Sequence, residues 1–305
     1  MQNILQHSGK EIAKKNGYSI IECENCGFKH VYPFPDLNLT EKMYSKEYYE
    51  LIKPEYIGNL EKDRDWWKRV YKERIENINN YLTNVDIVKT LDIGSGAGYF
   101  LEAAKRQGWD GIGVEPSYIA YRYSKEQHLN TINQFYDKQL SDDLGEFDVI
   151  HMNHVLEHII NPENTLKLIY QNLKNEGILC IAVPNDFNEF QKLLSEQKGF
   201  EPWWVVPEEH INYFTFKTLI QLLEQNGFEV LKKSTSFPME LFLLMGDNYI
   251  GNNELGRLCH GKRKKFEENL YDSNFTDLKD KFYETLADSN IGRDVILYVR
   301  KRKGD

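Results

Sequence analysis

A chain of 305 residues is long enough to bury a large core, so it forms one main domain with appendages or two domains. Its formal net charge of −9 argues against non-specific binding to nucleic acid or to an anionic membrane. No N-terminal apolar run resembles a signal peptide, no stretch approaches the ~20 apolar residues that span a bilayer, and the four cysteines make no disulfide framework. These readings place the protein in the cytoplasm, with no membrane partner. They leave its oligomeric state open.

Residues 1–36 differ from the rest of the chain. Residues 19–22 read as a strand, and Cys23-Glu24-Asn25-Cys26-Gly27 has the knuckle geometry of a zinc ribbon. A structural zinc site takes four ligands. Cys23 and Cys26 supply two and His7 and His30 are the nearest others; the alternative is a ribbon-like strand pair without metal. Tyr32-Pro33-Phe34-Pro35-Asp36 marks a boundary. Residues 37–86 then read as a helical cap, with Asn38 or Thr40 as N-cap and a break at Pro54.

Within residues 87–185 strands and helices alternate, which predicts a doubly wound α/β fold, a parallel sheet with helices on both faces. The strands fall at 90–93, 111–115, 131–132, 147–152 and 177–184, with an amphipathic helix at 164–173 before the last. Residues 186–215 interrupt the rhythm with Phe187, Phe190, Phe200, Trp203 and Trp204. An insertion at the carboxyl end of a strand sits where such sheets bind ligands, so it reads as a lid. Residues 216–305 complete the sheet: a helix at 216–227, a strand at 228–233, a helical excursion at 237–290 and a closing strand at 294–300.

The densest signal is Leu91-Asp92-Ile93-Gly94-Ser95-Gly96-Ala97-Gly98, a strand passing through a glycine turn into a helix. Glycines there let the backbone approach a ligand, and the helix start offers unpaired N–H groups. The spacing is G-x-G-x-G, whereas the dinucleotide fingerprint is G-x-G-x-x-G. Asp92 at one strand end suits an ammonium group, and Glu115 at the next suits ribose hydroxyls.

Together with Gly113-Val114-Glu115-Pro116-Ser117, Phe147-Asp148-Val149-Ile150 and His154-Val155-Leu156-Glu157-His158, this stretch resembles the class I S-adenosylmethionine-dependent methyltransferases. The resemblance implies a Rossmann-like seven-stranded sheet, mostly parallel with its last strand antiparallel. It implies a cofactor site at Asp92, Gly94, Ser95, Gly96, Gly98 and Tyr99, with Glu115 on the ribose and Pro116-Ser117 beside the adenine. Phe135 or Tyr136 would close over the adenine edge, and Asn153 and His154 would face the sulfonium.

The knuckle, Glu209-His210-Ile211-Asn212-Tyr213-Phe214 and Ile291-Gly292-Arg293-Asp294 look like the sugar-directed branch, whose members often carry two CxxC knuckles where this chain has one. That likeness implies methyl transfer to a hydroxyl of a sugar or nucleotide sugar, in surface-polysaccharide or other carbohydrate biosynthesis. His210 would be the general base, Glu209 would polarise it and Tyr213 would bond substrate; His158 is a further histidine, read mainly as structural. The competing readings are C-methylation, another small metabolite, an NAD-type oxidoreductase and a non-catalytic binding module.

Overall fold

The computed structural model describes residues 7–36, 43–45, 54–83 and 86–303. The N-cap expected at Asn38 or Thr40 lies outside the described residues. The chain forms two compact units: residues 1–33, 182–222 and 232–297 make one, and 34–181, 223–231 and 298–305 the other.

The first unit carries an antiparallel sheet. Its strands are β1 (Gly9–Lys15), β2 (Tyr18–Cys23) and β3 (Lys29–Tyr32), with a fourth contributed from far along the sequence. Alternation in β2 puts Ile21 and Cys23 on one face, while Ile20 packs with Val31, Trp204, Val205 and Tyr213 in a buried cluster on the other. Trp204 and Val205 belong to the segment expected as a lid; here they are core, and Phe187 and Trp203 pack against them. Within that segment the helix Glu189–Lys198 starts where Asn188 Oδ1 accepts from the N–H groups of Phe190 and Gln191, both at 3.0 Å. The helical excursion resolves into Glu240–Leu244, Asn253–Asp272 and Thr276–Asp288, gathered around Phe237, Phe242, Cys259 and Tyr283.

The second unit is built on a seven-stranded sheet. In chain order its strands are β4 (Lys89–Ile93), β5 (Asp110–Val114), β6 (Thr131–Ile132), β7 (Phe147–Asn153) and β8 (Leu173–Pro184). The fourth strand of the antiparallel sheet, β9 (Asn212–Tyr213), follows; β10 (Phe228–Ser234) and β11 (Asp294–Lys301) then complete the seven. The spatial order is β10-β11-β8-β7-β4-β5-β6, with β4 parallel to both neighbours and the last strand antiparallel. The expected architecture is therefore present.

Residues 178–183 of β8 are all fully buried, which is why that strand is a continuous apolar run without polar alternation. Burying each such aliphatic side chain is worth ~1.5–3 kcal/mol. Strand β8 begins at Leu173, directly at the C-terminus of the helix Pro162–Asn172, several residues earlier than the sequence places it.

The strand order reverses at β4, with β5 and β6 built outward on one side and β7 and β8 on the other. In a doubly wound sheet the crevice at that switch point is where ligands bind. The glycine turn stands at the carboxyl end of β4, so the fold puts it there.

Candidate active site

The turn is held by backbone bonds to the neighbouring strand: the N–H groups of Gly94 and Ser95 donate to the Val114 carbonyl at 2.8 and 3.1 Å. Two of its glycines are obligatory. Gly94 has φ +68° and a Cβ there would stand 2.3 Å from Val155 Cγ2, while Gly98 has φ +82° and its Cβ would meet Leu129 Cδ1 at 2.4 Å. Gly98 caps the helix Tyr99–Arg106, so Tyr99 opens the helix and its free N–H groups lie at the turn.

Glu115 closes this cradle from the end of β5. It is 4 % exposed; one carboxylate oxygen accepts from Gly96 N–H and the other from Ser117 N–H, both at 2.8 Å. Each oxygen keeps a second lone pair for a ribose hydroxyl. Burial pushes its carboxyl up to about 7, against the pull of those two N–H donors. Asn133 Nδ2 donates to the carbonyls of Glu115 and Pro116, at 2.9 Å each, and so fixes the strand end. Asn133 was not singled out as a site residue by the sequence. A polar residue just past the short strand β6 was the available signal.

Asp92 is also buried, but the structure gives it a partner the sequence did not supply. His151, its register neighbour on β7, donates from Nδ1 to Asp92 Oδ1 at 2.7 Å. The other ring nitrogen takes a hydrogen bond from Arg74 Nη1 at 3.0 Å, and the same Nη1 donates to Asn153 Oδ1 at 2.7 Å. Phe100 stacks on the imidazole at 3.9 Å between centroids. Burial lowers the His151 pKa and Asp92 opposes that shift. Arg74, from the helix Arg64–Asn79, thus orients His151, which orients the carboxylate. A histidine inside the apolar run Phe147-Asp148-Val149-Ile150-His151-Met152 was the sequence sign of this network.

The other expected cofactor contacts distribute as follows. Asn153 is half-buried and engaged by Arg74. His154 is exposed, with φ +55°, and its Nδ1 lies 3.4 Å from Glu157. Phe135 and Tyr136 are half-buried beyond β6, and the Tyr136 hydroxyl donates to Asn172 at 2.5 Å. His158 sits in the turn Leu156–His158, 2.6 Å from the Tyr44 hydroxyl through Nδ1 and 3.7 Å from Glu157 through Nε2.

In the first unit, His210 and Glu209 are half-buried, and both backbone N–H groups donate to the Val206 carbonyl. The acidic group facing the His210 ring is Asp186, 3.8 Å from Nδ1. Tyr213 is 1 % exposed inside the core cluster and its hydroxyl accepts from Val206 N–H at 3.2 Å. The ring packs in that cluster while the hydroxyl ties down residue 206.

A family model described as a methyltransferase domain matches residues 64–233, more than half of the chain. The chain belongs to that family. The family match and the fold make it an S-adenosylmethionine-dependent methyltransferase, in line with the sequence reading and against the oxidoreductase alternative.

Among curated relatives, the ubiquinone biosynthesis O-methyltransferase of Glaesserella parasuis serovar 5 (strain SH0165) is 29% identical over 122 residues, 37% of this chain and 52% of that protein. The mitochondrial ubiquinone biosynthesis O-methyltransferase of Rattus norvegicus is 30% identical over 206 residues, 60% of this chain and 56% of its own length. The chain spans about half the length of these two relatives. A likeness of fold links it to the plantazolicin methyltransferase BpumL, solved with a monoazolic desmethylPZN analog and S-adenosylhomocysteine: TM-score 0.51, 18% identity, covering 87% of this chain and 94% of that one.

These relatives correct one expectation. Their names concern ubiquinone biosynthesis and O-methylation, so the sugar hydroxyl, its C-methylation variant and the link to carbohydrate and polysaccharide biosynthesis are set aside. The signals behind the sugar reading were the knuckle and the segments 209–214 and 291–294, none of which specifies an acceptor atom; Tyr213 in the second of them lies in a core cluster. Among the described residues, no helix is long and apolar enough to cross a membrane.

Proposed function

We propose that the protein transfers a methyl group from S-adenosylmethionine to a hydroxyl of a small aromatic acceptor of the quinol or catechol class. The observation that carries the donor half is the cradle of Gly94, Gly96, Gly98 and Glu115 at the switch point of the sheet. The names of the relatives support the acceptor half. When bound, S-adenosylmethionine supplies a methyl group on a positively charged sulfur, so the protein's task is alignment and removal of the acceptor's proton. Orientation alone is worth ~7–11 kcal/mol in favourable intramolecular cases.

Chemistry favours an aromatic hydroxyl. A phenol ionises near pKa ~10, within reach of a histidine whose ordinary pKa is ~6.5. Base assistance of this kind contributes about 10²–10⁴-fold. Two of the expected histidines have an orienting partner within their own unit: His158 with Tyr44 and Glu157, and His210 with Asp186.

The test is incubation of the full chain with methyl-labelled S-adenosylmethionine and a panel of catechols, simple phenols and nucleotide sugars, read by mass. A labelled catechol ether is expected, with kcat falling about 10²-fold or more in whichever of His158→Ala and His210→Ala removes the base. Label appearing only in the nucleotide sugars, or in no member of the panel, would overturn the acceptor class.

A further inference from the structure

We infer that His7, Cys23, Cys26 and His30 form a tetrahedral zinc site that fixes the antiparallel sheet of the first unit. One potential ligand atom from each of these residues lies within 4.8 Å of all the others. His7 Nδ1 is 3.1 Å from His30 Nε2, 3.6 Å from Cys23 Sγ and 3.4 Å from Cys26 Sγ. Bonds of ~2.3 Å to sulfur and ~2.0 Å to nitrogen give a tetrahedron with edges of roughly 3.3–3.8 Å. The observed separations have that size.

The four donors come from separate places that the fold gathers. His7 precedes β1, Cys23 ends β2, Cys26 lies in the following turn and His30 is on β3. The turn is a knuckle: Gly27, at φ +73°, donates its N–H to the Cys23 carbonyl at 3.0 Å, and Cys23 N–H donates to the Phe28 carbonyl at 3.2 Å. Glu24 N–H donates to the Ser8 carbonyl at 3.0 Å, which brings the segment carrying His7 against the knuckle.

Each donor presents an atom suited to the ion. Neither cysteine is in a disulfide. His30 Nδ1 donates to the Val31 carbonyl at 2.8 Å, which sets the tautomer and leaves the Nε2 lone pair directed at the other three groups, the usual outer contact of a metal-binding imidazole. Two thiolates with two imidazoles and no carboxylate make a set for zinc rather than for calcium or magnesium.

The site has a structural consequence beyond its ligands. His30 is the register partner of Asn212 on β9, and Val31 N–H donates to the Ile211 carbonyl at 2.9 Å. A metal at His30 therefore anchors the strand that supports the segment directly after His210.

The site is tested on the full chain, stripped with a chelator and titrated with zinc and with cobalt(II). One equivalent of either metal is expected. The cobalt form should show d–d bands of tetrahedral intensity and a thiolate charge-transfer band, and metal should restore a melting temperature lowered by stripping. Cys26→Ala should lose uptake, whereas His7→Cys should keep it with a stronger charge-transfer band, which separates lost ligation from failed folding. Absence of metal uptake by the wild-type chain would overturn the site. So would a cobalt spectrum unchanged in His7→Cys.

Discussion

A buried carboxylate normally needs a cation beside it, yet Glu115 faces two backbone N–H groups and titrates near 7. Its folded pKa lies above the ordinary 4.5, so the folded apo state holds the proton more tightly than the unfolded chain. The group's contribution to stability is therefore fully present below about 4.5 and is lost as pH rises through about 7. Ligand binding runs the other way, because accepting two ribose hydroxyls calls for the ionised form. Calorimetric titration with S-adenosylhomocysteine should show affinity falling as pH drops below about 7. Glu115→Gln should flatten that dependence and weaken binding by roughly tenfold or more, the worth of a hydrogen bond to a charged group. Gly94→Ala forces a β-carbon to 2.3 Å from Val155 in a left-handed backbone, and the same titration should show no binding.

Between elements, the Arg74–His151–Asp92 chain joins a helix to two adjacent strands inside one unit. Arg74→Met leaves His151 Nε2 and Asn153 Oδ1 without their shared donor, and the buried orphan at His151 costs ~1–3 kcal/mol. The expected result is a lower melting temperature together with weaker binding of S-adenosylhomocysteine, because Asp92 loses its orientation. His151→Phe should keep the stack on Phe100 but strip the Asp92 carboxylate of its donor, and it should damage binding more than stability. The sequence showed these elements well, because residues 90–93, 147–152 and 177–184 are apolar strand patterns bounded by turn residues. It missed β1, whose residues Gly9–Lys15 are largely exposed and polar and owe their strand conformation to pairing with β2. It also missed that the histidine in β7 and the aspartate in β4 are opposite one another, since register is not written in either strand alone.

At the scale of the molecule, a ligand that binds the folded state stabilises it by ~2.7 kcal/mol at a hundred times its Kd. S-adenosylhomocysteine at that excess should raise the melting temperature by roughly 5–10 °C in the wild type, at the ~2–4 °C per kcal/mol usual for units of this size, and leave Gly94→Ala unmoved. The alternation of strands and helices was enough to predict the fold class, and the methyl donor followed from the resemblance of residues 91–98, 113–117, 147–150 and 154–158 to the class I methyltransferases. Those are local properties: periodicity, backbone freedom at glycine and the chemistry of a strand terminus. Tertiary structure decided what depends on distant parts of the chain meeting. It placed residues 1–33 in one unit with residues 182–222, put Trp204 of the segment read as a lid into a core cluster, gave Asp92 its histidine and brought His7 and His30 to the cysteine knuckle. Spacing along a sequence reports which groups are near neighbours on one element; only the folded backbone sets the few ångströms between side chains that come from different ones.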